Sequence, residues 1–274
     1  ILGTGGYVSA PALFASNISK TPYMIHDCDA HPGIVSKFVA PMAKVVSVAF
    51  EDSVKNIKND NIYVNGNPIR ELFSTLTKEE ARKNLKLENK TTLCIMGGSQ
   101  GAKSIDDAAI GCLKQIFNKY DVQIIFQTGA KHYDYTISKL KEIYPDYELN
   151  KNLTVKPFFD DMVSILKSAD IAVSRAGSLS LSEICACSIA SILIPYPYAA
   201  ADHQRKNAKS LLKRNACLYL EDDETNSENL FSKIDELLSN PEKLCTLQQN
   251  AGNLAKLDAT KNIVEQLKKV ATNE

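Results

Sequence analysis

The chain has 274 residues, 44% apolar and 23% charged, enough to bury a core in two packed units without disulfide support. Lysine plus arginine and aspartate plus glutamate balance at 32 each, which excludes a global field that would gather nucleic acid or anionic lipid. Seven scattered cysteines without a CxxC pair point to free thiols in a reducing cytoplasm, and no apolar run is long enough to predict a membrane-spanning helix.

In chain order, Ile1-Leu2-Gly3 reads as the end of a strand already under way, so a preceding segment is expected. Short apolar runs at 23–25, 44–48, 62–64, 92–96, 123–127, 153–156, 171–174 and 191–195 are predicted strands. Amphipathic stretches at 104–119, 134–144, 162–168 and 179–187 are predicted helices between them. This alternation specifies parallel βαβ units, hence an α/β fold with two doubly wound, Rossmann-like domains. The stretch Val64-Asn65-Gly66-Asn67-Pro68-Ile69-Arg70 joins a turn-forming pair to an X-Pro step that disfavours helix. It divides residues 1–66 from a fuller unit at 70–250. The first block has too few strands for a complete sheet of this kind, and a closing helix within 255–274 is expected to pack back on it.

Four constellations carry candidate chemistry. The run 92–96 enters Gly97-Gly98-Ser99-Gln100-Gly101-Ala102 and then a helix, a geometry in which backbone N–H groups face an anion. Its spacing fits neither a Walker loop nor the GxGxxG of dinucleotide enzymes, so the pairing of a GxGxxG with an acidic residue about twenty positions on, which a Rossmann oxidoreductase predicts, does not appear. The run 171–174 enters Arg175-Ala176-Gly177-Ser178-Leu179-Ser180-Leu181-Ser182-Glu183, where Glu183 either complements the helix dipole or accepts from ribose hydroxyls. Beyond Pro195-Tyr196-Pro197-Tyr198, the residues Asp202, Gln204 and Asn207 offer amides and a carboxylate to sugar hydroxyls, or form a solvated helix face. The opening Gly3-Thr4-Gly5-Gly6-Tyr7 is a second glycine turn, followed by His26-Asp27, a pair that suits acid–base work or a structural turn. His26, His31, His132 and His203 show no metal-ligand spacing.

In their order and spacing, GTGGYVSAP, HDCDAHPG, GNPIR, GGSQGA, FFDDM, SRAGSLSLSE, DHQRKNA and DAT resemble the peptidoglycan N-acetylglucosaminyltransferases of glycosyltransferase family 28, over essentially the whole chain. The resemblance implies a GT-B fold with an incomplete first domain and an inverting, metal-independent donor site without cofactor. It implies transfer of N-acetylglucosamine from UDP-N-acetylglucosamine to an undecaprenyl-pyrophosphoryl muramyl-pentapeptide, at the cytoplasmic face of the bacterial membrane and with no nucleic-acid partner. By matching position, Phe159 would meet the uracil, Glu183 the ribose, and the helix start Ser178, Leu179, Ser180, Leu181 and Ser182 the diphosphate. Ser99 and Arg70 would also bind the diphosphate, Gln204 the sugar hydroxyls, and Asp29 would stand near the donor sugar. Gly5, Gly6 and Tyr7 would form an acceptor or phosphate loop, and His26 is the catalytic candidate within the chain, the family's proposed base lying upstream. Departures are His26-Asp27-Cys28-Asp29 where the family has His-Glu-Gln-Asn, and Arg205 in place of a glutamine. A related lipid glycosyltransferase and a non-catalytic UDP-sugar-binding module remain the alternatives.

Overall fold

The computed structural model describes residues 1–98 and 100–272. Its first unit is a parallel sheet of β1 (Leu2–Gly3), β2 (Met24–Asp27), β3 (Val45–Val48) and β4 (Ile62–Val64), in that spatial order. All four residues of β2 are buried, as a strand covered on both faces requires. Leu13, Tyr23, Ile25, Val39, Val46 and Val48 make the core on one face. On the other, the closing helix Ala259–Thr272 sets Ile263 and Val270 against Met24, with Leu267 and Val45 beside them. A hydrogen bond of 2.8 Å from Asn65 Nδ2 to Gln266 Oε1 fastens that helix to the linker.

The second unit is a six-stranded parallel sheet of β5 (Thr91–Met96), β6 (Val122–Gln127), β7 (Leu153–Lys156), β8 (Ile171–Ser174), β9 (Ala190–Leu193) and β10 (Cys217–Tyr219). The spatial order is β10-β9-β8-β5-β6-β7, so the chain builds outward from β5 on one side and from β8 on the other. Met96 pairs with Ser174 at the carboxyl end of these two central strands, the switch point at which doubly wound sheets bind ligands. Helix Lys103–Lys119 buries Ile105, Ala109, Cys112, Leu113 and Ile116 at helical spacing on one face of the sheet. Helices Met162–Ser168, Ser178–Ala186 and His203–Leu212 cover the other face with Ile165, Leu166, Ile184, Ala208 and Leu211.

Two sequence expectations need adjustment here. Strand β10, a three-residue edge strand after the left-handed turn at Asn215 (φ 49°), is an addition to the predicted strands. Strand β9 ends at Leu193 rather than 195, where the proline-rich segment leaves the sheet.

Polar contacts tie the two units together. Ser210 Oγ donates to Asp52 Oδ2 at 2.5 Å, and Arg214 Nη1 donates to the same oxygen at 2.8 Å. Burial alone would raise the Asp52 carboxyl, but these two donors outweigh it and hold the group below its usual range.

Candidate functional site

Strand β5 ends in a turn that only glycine can make. Gly98 and Gly101 have φ of 87° and 79°, and a Cβ on Gly101 would lie 2.1 Å from the Thr128 carbonyl oxygen. Helix Lys103–Lys119 follows without a side-chain cap, so its first N–H groups remain open to an anion. Ser99, the hydroxyl donor expected in this turn, lies outside the described residues.

The neighbouring strand β8 ends in Arg175-Ala176-Gly177 and helix Ser178–Ala186, whose amino end again has no side-chain cap. Arg175 latches this corner. Its guanidinium donates to the Ile194 and Pro195 carbonyls at 3.1 and 3.2 Å, to Asp222 Oδ1 at 2.5 Å and to Ser104 Oγ at 3.1 Å. It therefore braces both candidate phosphate-facing helix starts to the ends of β9 and β10, a role that sequence reading had not assigned.

Glu183 projects from helix Ser178–Ala186 and meets Arg70 of the interdomain linker at 4.0 Å. Burial raises the Glu183 carboxyl, and Arg70 opposes that rise. The Arg70 guanidinium, 53% exposed, also lies 5.4 Å from the centre of the Phe73 ring. Two residues singled out far apart in the chain are thus brought together.

Gln204 fixes the third wall. Its Oε1 accepts from the N–H groups of Tyr196 at 2.9 Å and Ala176 at 3.2 Å. Its amide nitrogen has no partner among the described residues. Phe159 spends its N–H on Gln127 Oε1 at 3.1 Å, and Lys156 Nζ stands 5.4 Å over its ring.

Several candidates find other duties. Asn207, expected to face a sugar, is fully buried. Its Nδ2 donates to Asp29 Oδ1 at 2.8 Å and to the Ala176 carbonyl at 3.3 Å, while its Oδ1 accepts from Ala30 N at 2.7 Å. Asp29 is therefore held across the domain boundary by Asn207. Asp202 pairs with Arg205 at 2.9 Å. The Leu181 side chain belongs to the core, so only its backbone can serve a ligand, whereas Leu179 is half exposed.

His26 corrects the acid–base expectation. Its ring is buried, Nδ1 lies 2.9 Å from Ser47 Oγ, and Nε2 lies 3.2 Å from Asn67 Oδ1. Burial lowers its pKa, against smaller opposing effects of Asn67 and Asp27. A ring with both nitrogens engaged has none to present to an acceptor. Asn67, overlooked within the GNP turn, is the hub: its Nδ2 also reaches the Cys28 and Ser178 carbonyls at 3.2 and 3.3 Å and Ser182 Oγ at 3.1 Å. Gly5 and Gly6, with φ of 84° and 73°, carry the turn after β1, which leaves Tyr7 82% exposed.

Comparison with known proteins agrees with this geometry. The model of the glycosyltransferase family 28 C-terminal domain matches residues 92–267. A UDP-N-acetylglucosamine--N-acetylmuramyl-(pentapeptide) pyrophosphoryl-undecaprenol N-acetylglucosamine transferase of Thermoanaerobacter sp. (strain X514) is 37% identical over 98% of this chain and 74% of its own length. One of the same name from Halothermothrix orenii is 34% identical over 99% of this chain and 74% of its own length. The crystal structure of Acinetobacter baumannii MurG superposes with a TM-score of 0.79 at 27% identity, covering 98% of this chain and 74% of that one. A putative UDP-N-acetylglucosamine 2-epimerase from Listeria monocytogenes, 14% identical with a TM-score of 0.74, shares the fold. A doubly wound six-stranded unit beside a four-stranded parallel one, a glycine turn and a carboxylate helix at the switch point, and relatives matched end to end along this chain place it in glycosyltransferase family 28, among the N-acetylglucosamine transferases of peptidoglycan synthesis.

Proposed function

We propose that this chain binds UDP-N-acetylglucosamine at the switch point and transfers its sugar to an undecaprenyl-pyrophosphoryl muramyl-pentapeptide, as the names of its relatives describe. The observation that carries the reading is the meeting of Arg70 and Glu183 beside two uncapped helix starts. Glu183 is a carboxylate suited to accepting from two vicinal ribose hydroxyls. Gln204 Nε2 is the donor suited to the sugar, and Phe159 borders the expected base.

In transfer, the acceptor hydroxyl forms a bond to the anomeric carbon as the bond to the UDP oxygen breaks, inverting that carbon. Negative charge then accumulates on the departing diphosphate. In this reading Arg70 and the helix N–H groups stabilise it. A base for the acceptor proton is not among the residues assigned here, since His26 is committed to Ser47 and Asn67.

The acceptor is lipid-linked, so the reading puts the chain at the cytoplasmic membrane face as a peripheral partner. No helix among the described residues is long and apolar enough to cross a membrane. The test is calorimetric titration with UDP-N-acetylglucosamine and ADP-ribose, followed by UDP release with the lipid-linked acceptor. Selective binding of the uridine sugar supports the reading, and absence of binding by folded chain overturns it.

A further inference from the structure

The sheet face that the closing helix covers changes character toward its carboxyl end. Met24 and Val45 meet that helix through apolar contacts, and His26 and Ser47 stand at the next positions of the same face. These two are register partners on β2 and β3, and both are buried. Their polar atoms must find partners inside the protein.

Asn67 sets the direction of the bonds that result. Its Nδ2 faces the Cys28 and Ser178 carbonyls, which can only accept, so its Oδ1 faces His26 and accepts there. The His26 ring therefore carries its proton on Nε2. Burial lowers its pKa and keeps the ring neutral near pH 7, so Nδ1 accepts from the Ser47 hydroxyl at 2.9 Å. Ser47 Oγ accepts in turn from Asn65 Nδ2 at 2.9 Å, and Asn65 exchanges hydrogen bonds with Gln266 of the closing helix. At the other end Asn67 Nδ2 donates to Ser182 Oγ, whose hydroxyl donates to the Ser178 carbonyl. Donors and acceptors thus alternate without a break from the closing helix to the helix that carries Glu183.

We propose that this relay positions the amino end of helix Ser178–Ala186 for the sugar nucleotide, with His26 and Asn67 acting as positioning residues through the helix. The helix start has no side-chain cap of its own, so its placement depends on what grips it from outside. Asn67 grips it at Ser178 and Ser182, and the same linker carries Arg70, which meets Glu183 on that helix. A buried chain of this kind holds one arrangement only while every member keeps its partner. The effect on the nucleotide rests on the donor-site reading above, whereas the grip on the helix does not.

The test compares two variants of the full chain: His26→Leu, which breaks the relay, and His26→Gln, whose side-chain amide restores a donor to Asn67. The Leu181 amide, bonded to the Gly177 carbonyl in the first turn, should exchange its hydrogen about fivefold faster or more in His26→Leu and return toward the parent rate in His26→Gln. The Ile95 amide of β5 is the internal reference, because a general loss of stability quickens both sites alike. The Kd for UDP-N-acetylglucosamine should follow the same order, rising about fivefold in His26→Leu and recovering in His26→Gln. Asn67→Asp, which sets a carboxylate against two carbonyls, should reproduce the His26→Leu pattern. Nitrogen NMR of the parent should find His26 protonated at Nε2 and bare at Nδ1. The opposite tautomer, equal exchange of Leu181 in the two His26 variants, or an unchanged Kd in His26→Leu and Asn67→Asp for a donor that the parent binds would overturn the proposal. A parent that binds no UDP-sugar while Leu181 exchange follows the relay counts against the donor reading and leaves the grip on the helix standing.

Discussion

The Arg70 guanidinium of the interdomain linker and the Glu183 carboxylate of helix Ser178–Ala186 stand 4.0 Å apart. The pair is more than half exposed on the arginine side, so it adds little to stability, with a ceiling of about 1 kcal/mol. Its value is positional. It keeps a cation and a carboxylate side by side, the two groups that the proposed function gives to the diphosphate and the ribose.

Substitution of either member should separate binding from folding. Glu183→Gln is expected to weaken UDP-N-acetylglucosamine about tenfold or more, since hydrogen bonds to a charged acceptor exceed those to a neutral one. Arg70→Ala should lower the transfer rate more than it raises KM, because the cation acts chiefly on the charge of the departing diphosphate. Urea melts of both variants should stay within about 1 kcal/mol of the parent. Equal loss of binding and stability would make the pair structural.

Asn207 should behave in the opposite way. It is fully buried and bonds Asp29, Ala30 and Ala176, so Asn207→Leu strands several polar groups across the domain boundary. The expected cost is about 2–4 kcal/mol in chemical denaturation, with separate transitions for the two units. A single transition at the parent midpoint would show that the boundary does not depend on this amide.

Gly101→Ala tests the glycine turn. The residue sits at φ 79°, and a methyl group would lie 2.1 Å from the Thr128 carbonyl oxygen, so the turn must move. Destabilisation by about 2 kcal/mol or more and loss of UDP-sugar binding are expected. Gly5→Ala, with nothing near its added methyl, should cost only the strain of its φ, about 1 kcal/mol.

His26→Gln separates a structural histidine from a base. Burial depresses the native pKa of His26, so below about pH 6.5 the unfolded chain takes up a proton that the native chain resists, and stability falls with pH. The variant should flatten that acid limb in denaturation curves and leave the pH–rate profile of transfer unmoved. A vanished limb in the rate profile would restore the catalytic assignment.

Asp106 makes the mirror-image prediction. It is fully buried, neither carboxylate oxygen has a partner among the described residues, and burial pushes its pKa up to about 8. Between about pH 4 and 8 the unfolded chain releases this proton while the native chain keeps it, so stability falls as pH rises through that window. Asp106→Asn should remove the slope and stabilise the protein by about 2 kcal/mol or more at pH 8, with little change at pH 4. A parallel pH dependence in both proteins would exclude the effect.

The sequence by itself determined the class of fold and the chemistry available. Apolar runs such as 92–96 and 171–174 must bury both faces, and the glycines at 98 and 101 reserve a conformation that side chains resist. Both signals are local, which is why they were legible. Position across the boundary was not. His26 and Asn207 have the residue types of a site, yet the tertiary fold spends them on Ser47, Asn67, Asp29 and Ala30. Asn67 and Arg175 stood inside recognised motifs, but their importance comes from the number of separate segments each one joins. Only the packed structure decides such roles, because a buried polar group takes whichever partners the rest of the chain brings within reach.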